Sequence, residues 1–369
     1  MHICLVGLEA LSILLPGYEQ HRTGGEQVQV SLLAKALVNR GYKISLITLD
    51  YGQAADLEYK GIKIIKAYSP DGGIPGLRFI YPKVTRLWQA LKAADADVYY
   101  TSCAGYQVGI VALYCKLFQR RSIYRVAHDN DCDPSKLLIK HWRDKRLYQF
   151  GLRRQHTVLA QSVQQQHDLK HYFGLSSSIA TMLVDKPDEI LTIEQRNIDI
   201  LWVNNFRQFK RPDLALELAK LLPEYNLHMI GGANEPELYA GIERNAKSLN
   251  NVVFHGPIPY RDISGYYSAA KIFINTSDSE GFPNSYLQSW IRGTPIIVFF
   301  DPDDVVSRNA LGYKANSLDE MATLIRKLIH NPADWCQLSQ QCRQYMHQHY
   351  AEDEVLRPYI EAFESAIEK

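Results

Sequence analysis

No run of about eighteen apolar residues occurs in this sequence, so no segment reads as a membrane-spanning helix. The opening Met1-His2-Ile3-Cys4-Leu5-Val6-Gly7 has no charged start and no cleavage site. It reads as a first β-strand rather than a signal sequence, and predicts a cytoplasmic protein. Cysteine is sparse: Cys4, Cys103, Cys115, Cys132, Cys336 and Cys342 are scattered with no close pair at metal spacing, which predicts buried free thiols. No repeat of roughly 20–50 residues shows. The fingerprint of three spaced glycines that holds a dinucleotide is also missing, which argues against a nicotinamide enzyme.

What remains is a chain of 369 residues, 46% hydrophobic and 22% charged, globular and long enough for two domains. The net charge of +1 hides an asymmetry. Residues 1–185 carry about +8 and the rest about −7. The basic excess is densest from Lys136 to Arg154, where Lys140, His141, Trp142, Arg143, Lys145, Arg146, Arg153 and Arg154 alternate with Leu137, Leu138, Leu147 and Phe150. An amphipathic basic helix of this kind can lie on an anionic membrane surface.

Short apolar runs alternate with helical patterns, the mark of parallel sheets with crossover helices. Strands are predicted at Ile3–Val6, Ile44–Thr48, Ile62–Ala67, Val98–Thr101, Ile123–Val126, Val158–Ala160 and Ala180–Val184. A helix from about Glu26 to Arg40 follows the first and stops at Gly41. The polar stretch Asp185–Asn197, with Pro187, reads as a linker. A second set of strands follows at Ile200–Asn204, Leu227–Ile230, Val252–Phe254, Ile272–Asn275 and Pro295–Phe299, with helices between them. Ser317-Leu318-Asp319-Glu320 reads as a capping box. The predicted fold is α/β: two Rossmann-like, doubly wound domains, 1–185 and 198–350, facing across a cleft, with a last helix at 351–369 packing back toward the first.

Candidate chemistry gathers where strands end. After Ile272-Phe273-Ile274 come small polar residues, then Glu280-Gly281-Phe282-Pro283 and a helix from Asn284. Proline suits a helix entrance, and the free donors there suit a pyrophosphate. Ser285 lies in the first turn, and Gln288, a little over two turns beyond Glu280, can reach the same ligand. After the second domain's first strand, Asn204-Asn205-Phe206-Arg207-Gln208-Phe209-Lys210-Arg211-Pro212 sets three cations in five residues, able to stabilise a departing diphosphate. Gly24 and Gly25, after Thr23, let a ligand approach another helix start closely. His128, followed by Asp129, stands just past a strand. Asp129, Asp131 and Asp133, like Asp301, Asp303 and Asp304, read as turn residues rather than metal ligands, since no glycine-centred calcium loop accompanies them.

Taken in order, Gly24-Gly25, His128-Asp129, Lys210-Arg211-Pro212, Gly231-Gly232, His255-Gly256 and Glu280 through Gln288 resemble the family 4 retaining glycosyltransferases, whose architecture is GT-B. The resemblance implies that the glycine loop and the basic residues hold the donor's pyrophosphate and that His128 contacts the transferring sugar. It also implies a pair of glutamates separated by seven residues, the first on the donor sugar and the second on the ribose. Glu280 supplies the first; Gln288 replaces the second with an amide. Asn205 replaces an arginine, which leaves Arg207 or Arg211 to share the phosphate role. The implied catalytic residues are His128, Lys210 and Glu280, with Gly24, Gly25, Asn205, Arg207, Gly232, Gly281, Phe282, Pro283, Asn284, Ser285 and Gln288 binding the donor. The resemblance implies no metal and no cofactor. The expected partners are a nucleotide-sugar, a glycan or lipid-linked acceptor and an anionic membrane surface reached from the cytoplasm, with no nucleic acid. Acceptor recognition is expected in Leu8–Thr23 and around Tyr68–Tyr81. Two other readings stay open: a nucleotide-sugar 2-epimerase and a non-catalytic subunit of a glycan-assembly complex.

Overall fold

The computed structural model describes residues 1–19, 24–187 and 189–368. Thr23 and the end of the predicted acceptor loop lie outside the described residues, as does one residue of the predicted linker. The chain divides into two compact units, Met1–Leu183 with Glu352–Lys369, and Val184–Ala351.

The first unit is built on β1 (His2–Val6), β2 (Lys43–Thr48), β3 (Glu58–Tyr59), β4 (Ile62–Lys66), β5 (Val98–Ser102), β6 (Arg121–Arg125), β7 (Thr157–Ala160) and β8 (Ser178–Ile179). They form one sheet in the order β3-β4-β2-β1-β5-β6-β7-β8. Every pairing is parallel except β3 with β4. Ile3, Cys4, Leu5 and Val6 are all buried, as a parallel strand covered on both faces requires. The helix Gly25–Asn39 returns the chain from β1 to β2, burying Val28, Leu32, Leu33, Ala36 and Leu37. It ends where Gly41 turns left-handed at φ +81°. There the N–H groups of Gly41 and Tyr42 reach back to the carbonyls of Val38 and Leu37, which satisfies the last open acceptors of the helix.

The second unit holds β9 (Ile198–Val203), β10 (Leu227–Ile230), β11 (Val252–Gly256), β12 (Ala270–Asn275), β13 (Ile296–Val298) and β14 (Gly312–Lys314), all parallel, in the order β11-β10-β9-β12-β13-β14. Its core is seated on Ile200, Trp202, Ile272 and Ile274. In each sheet the strand order reverses beside the first strand, between β1 and β5 and between β9 and β12. At such a switch point the loops leaving adjacent strands part to opposite faces and open a crevice at the strands' carboxyl ends.

Four local expectations are corrected. Residues 180–184 are not a strand; only Ser178–Ile179 pair. Beyond them the side-chain amide of Gln29 bonds both backbone groups of Leu183, at 2.9 and 2.8 Å, and takes the place of a neighbouring strand. The basic helix begins at Trp142, not Lys136. Before it Leu137 is buried and Leu138 exposed, and Ile139 packs inward again, a period of two that belongs to extended chain. Ser317 caps its helix through the N–H of Glu320 at 3.1 Å. The Glu320 carboxylate reaches Asn316 instead of closing the box. Of the six free thiols, Cys336 is exposed and Cys103 half-buried.

Candidate active site

The switch point of the second unit brings together the two stretches singled out above. β9 leads into Asn204–Phe206, a tight turn Gln208–Lys210 and the helix Pro212–Leu221. Arg211 makes the corner at φ +50°, and Pro212 at the first helical position needs no N–H. β12 leads into Thr276–Pro283 and the helix Asn284–Trp290. Thr276 laces the two loops together. Its hydroxyl accepts from the indole N–H of Trp202 at 3.0 Å and is shared between the carbonyls of Lys210 and Arg211, each at 2.9 Å. The N–H of Asp278 donates to the Phe209 carbonyl at 2.9 Å.

That lacing sets Lys210 against Glu280. The ammonium donates to Glu280 Oε1. The same oxygen accepts from Ser277 Oγ at 2.8 Å and from Asn275 Nδ2 at 3.4 Å. Both side chains are largely buried, where an ion pair is attracted more strongly than in water but each ion has lost hydration. Three donors converging on Oε1 fix the orientation of the carboxylate at the carboxyl edge of the sheet.

The other cations differ in how they are engaged. Arg211 pairs with Asp213 at 2.8 Å and lies 3.5 Å from Asp278. Arg207 donates to the amide oxygen of Asn234, through Nε at 3.2 Å and Nη2 at 2.9 Å. Among the described residues it makes no ion pair, so its charge is the less compensated of the two. Asn205 Oδ1 accepts from the N–H of Gly232 at 3.2 Å. Gly231 passes so close to the β9 loop that a Cβ there would stand 1.8 Å from the Asn204 carbonyl oxygen. Its N–H donates to the carbonyl of Gly256, so the Gly231-Gly232 and His255-Gly256 motifs meet across adjacent strands. The His255 imidazole lies 3.0 Å from His228.

Gly281, Pro283, Ser285 and Gln288 are buried, and Phe282 and Asn284 half-buried. The Phe282 ring meets Trp290 edge-on at 6.3 Å. Gln288 is tied at both ends of its amide. Oε1 accepts from Arg292 Nη1 at 2.7 Å, and Nε2 donates to the Tyr260 hydroxyl at 3.0 Å. Tyr260 in turn donates to Asp185 at 2.7 Å. Sequence reasoning missed Tyr260, Asp185, Asn234 and Thr276. Only Thr276 carried a signal, as a small polar residue ending an apolar strand.

The first unit holds the remaining candidates. Gly24 is the extended cap of the helix that starts at Gly25. In its first turn Glu26 accepts from Ser102 Oγ at 3.0 Å, and burial raises that carboxyl to about 7. His128 lies just past β6, its ring Nδ1 accepting from the Asn130 N–H at 3.1 Å, which leaves the proton of the neutral ring on Nε2. Asp131 is buried and accepts from the His128 N–H at 3.2 Å. Burial lifts its carboxyl to about 7, against the pull of backbone N–H groups. Asp133 and Asp301 hold local turns, Asp133 accepting from Ser135 and Asp301 from Val306 and Ser307, while Asp129 accepts from the distant Gln165.

Comparison with known proteins defines the class. Residues 185–349 match the family described as Glycosyl transferases group 1, and residues 23–182 match Glycosyltransferase Family 4. Solved structures of the same fold are sucrose-phosphate synthase from Thermosynechococcus elongatus (TM-score 0.77, 15% identity, 99% of this chain and 98% of that one) and WaaG, a glycosyltransferase involved in lipopolysaccharide biosynthesis (TM-score 0.71, 15% identity, 99% of each chain). With two parallel-sheet bodies the molecule is a GT-B glycosyltransferase, and the chain belongs to family 4. Among curated proteins, an uncharacterized glycosyltransferase of Haemophilus influenzae is 28% identical over 44% of this chain and 48% of its own length. The O-antigen biosynthesis glycosyltransferase WbnH of Escherichia coli is 26% identical over 28% of this chain and 29% of its own length. The matched region thus spans about half the length of the first relative and under a third of the second.

Proposed function

We propose that this glycosyltransferase moves a sugar from a nucleotide-sugar to a hydroxyl of a glycan or lipid-linked acceptor, with retention at the anomeric carbon, in the synthesis of a cell-surface polysaccharide or glycolipid. The observation that carries the reading is the Lys210–Glu280 pair at the sheet's switch point, with Arg207 on the same loop. In the reaction the bond from the anomeric carbon to the diphosphate breaks as the acceptor oxygen bonds to that carbon on the same face. The acceptor's proton passes to the leaving phosphate. Lys210 and Arg207 offset the charge that develops there. Glu280 is held by its neighbours to accept from sugar hydroxyls, and His128 contacts the transferring sugar. No step requires a metal. Two similar proteins support the choice of donor and setting: TarM from S. aureus, of the same fold, was solved with UDP, and WbnH serves O-antigen biosynthesis.

A thermal-shift screen against nucleotide diphosphates and their sugars tests this, since a ligand that binds the native state raises its stability. At least one should raise the midpoint. If none does, the chain is instead a non-catalytic subunit of a glycan-assembly complex, a reading favoured by the internal bonds that occupy Gln288 and Asn205. Incubating the donor alone and analysing products separates transfer from 2-epimerisation.

A further inference from the structure

The first unit carries an exposed apolar surface that includes part of the stretch expected to meet the acceptor and none of the residues assigned to the donor. Ile74, Leu77, Ile80, Tyr81, Leu138 and Trp142 are all exposed, Trp142 by 76%, Ile74 by 70% and Ile80 by 62%. They come from two segments far apart in sequence that the fold joins. The Arg143 guanidinium lies over the Phe79 ring at 3.4 Å from its centre. Phe79 itself turns inward, edge-on to Tyr106 at 5.5 Å, and so pins the Ile74–Tyr81 turn to the body of the unit. Part of the turn's backbone closes on itself: the N–H groups of Leu77 and Arg78 donate to the Ile74 carbonyl, and those of Ile80 and Tyr81 to the Leu77 carbonyl. Engaging these four donors within the turn lowers the cost of holding its apolar side chains outward in a medium that offers few partners.

Charge selects that medium. Residues 72–92 hold four Lys and Arg and no Asp or Glu; residues 136–154 hold seven and one acid. That acid, Asp144, is paired with Arg143 at 2.9 Å. Aliphatic side chains have no use for a nucleic acid's phosphates, and an apolar patch for a protein partner does not call for a predominantly basic rim. Trp and Tyr tips set among Ile, Leu and cations match the boundary between acyl chains and anionic headgroups. The helix Trp142–Leu152 is committed along one side to the protein. It packs along the helix Tyr106–Leu117, where Gly109 and Gly151 let the two backbones approach so closely that a Cβ at either would meet backbone atoms at 2.4–2.5 Å.

We infer that the Ile74–Tyr81 turn and the entrance of the Trp142 helix form a composite anchor that inserts into an anionic lipid surface. It rests on the transferase reading only in what it serves, the delivery of a lipid-linked acceptor. The test is co-sedimentation of the full chain, without donor or acceptor, with vesicles of phosphatidylcholine alone or mixed with phosphatidylglycerol. Binding should require the anionic lipid and weaken as salt is raised from about 0.05 to 0.5 M. The double variant Ile80→Ser/Trp142→Ser, which keeps every charge, should lose at least about tenfold in partition, and brominated acyl chains should quench the parent's fluorescence but much less that of Trp142→Phe. No binding at low salt, or undiminished binding by the double variant, overturns the anchor. Self-association abolished by the double variant, with no vesicle binding, would make the patch a contact between copies and overturns it too. The nucleotide thermal shift, run without vesicles, reports separately: it should be unchanged in these variants, and its absence from the parent would sink the transferase reading while leaving the anchor standing.

Discussion

Lys210 and Glu280, seventy positions apart, meet because two parallel strands, β9 and β12, lie side by side and their outgoing loops share the hydroxyl of Thr276. The pair joins the two loops and, in the proposed reaction, also takes part in the chemistry; substitution separates the two roles. Lys210→Ala should lower turnover by more than about tenfold, the usual scale for a lost charge-stabilising contact. It should also destabilise the second unit by about 3–5 kcal/mol, because Glu280, largely buried, loses its charged partner and keeps only neutral donors. Adding Glu280→Gln should recover most of the stability and none of the activity. Chemical denaturation beside a transfer assay reads both; near-normal transfer by Lys210→Ala would remove it from the site.

Gln288 offers a second test. Gln288→Glu would set a carboxylate against the Arg292 guanidinium, which now bonds the amide oxygen at 2.7 Å. The new carboxyl should titrate below its ordinary value. Its stabilising effect is then present above the unfolded pKa and lost as pH falls through the lowered folded one. We expect a gain of about 1 kcal/mol at pH 7, the charged bond outweighing the lost donation to Tyr260, and none at the acid end of the titration. A loss at neutral pH would mean that the amide is needed as a donor. Tighter donor binding by the same variant would show that the residue reaches the ribose.

The paired glycines should respond very differently to one methyl group. Gly231→Ala drives a Cβ to 1.8 Å from a backbone carbonyl that β9 and β10 hold in place, whereas Gly232→Ala meets the Asn205 amide oxygen at 3.1 Å. The first should cost more than about 3 kcal/mol or prevent folding, and the second about 1 kcal/mol or less. Equal effects in urea titrations would contradict the close approach.

Asp131 makes stability depend on pH. Its folded carboxyl is raised from 3.8 to about 7, so the native state binds the proton more tightly than the unfolded chain. The resulting stabilisation is complete below about pH 4 and is lost as pH rises through 7. In Asp131→Asn that part of the slope should vanish, so that the variant gains on the parent across this window and by a constant amount above it. Glu26, raised to about 7 by the same cause, carries a second share that Glu26→Gln removes. An unchanged slope in Asp131→Asn would refute the assignment.

How far each feature could be foreseen follows from the range of the forces that make it. Strands β1, β2 and β5 were legible because a parallel strand buried on both faces must be a short apolar run, and β4 from its buried Ile62, Ile64 and Ile65. The helix Gly25–Asn39 was legible from its period and its stopping glycine. The short edge strands β3 and β14 were not: they have two and three residues, too few to show any pattern. The helix predicted from Lys136 failed because Leu137, Leu138 and Ile139 suit an extended chain as well as a helix, and packing decided between them.

The sequence alone determined the α/β class, the strand-loop-helix units and the residues at their turns, since these depend on period, on glycine and proline, and on charges close together in the chain. Tertiary structure decided which of those residues act together. Arg207, Lys210 and Arg211 read as three equal cations; folding spends Arg211 on Asp213, gives Arg207 a neutral partner and commits Lys210 to Glu280. Gln288 read as a ligand-binding amide, and folding binds it to Arg292 and Tyr260. A side chain's partner is set by which strands neighbour one another, and strand order is a long-range property that no local pattern carries.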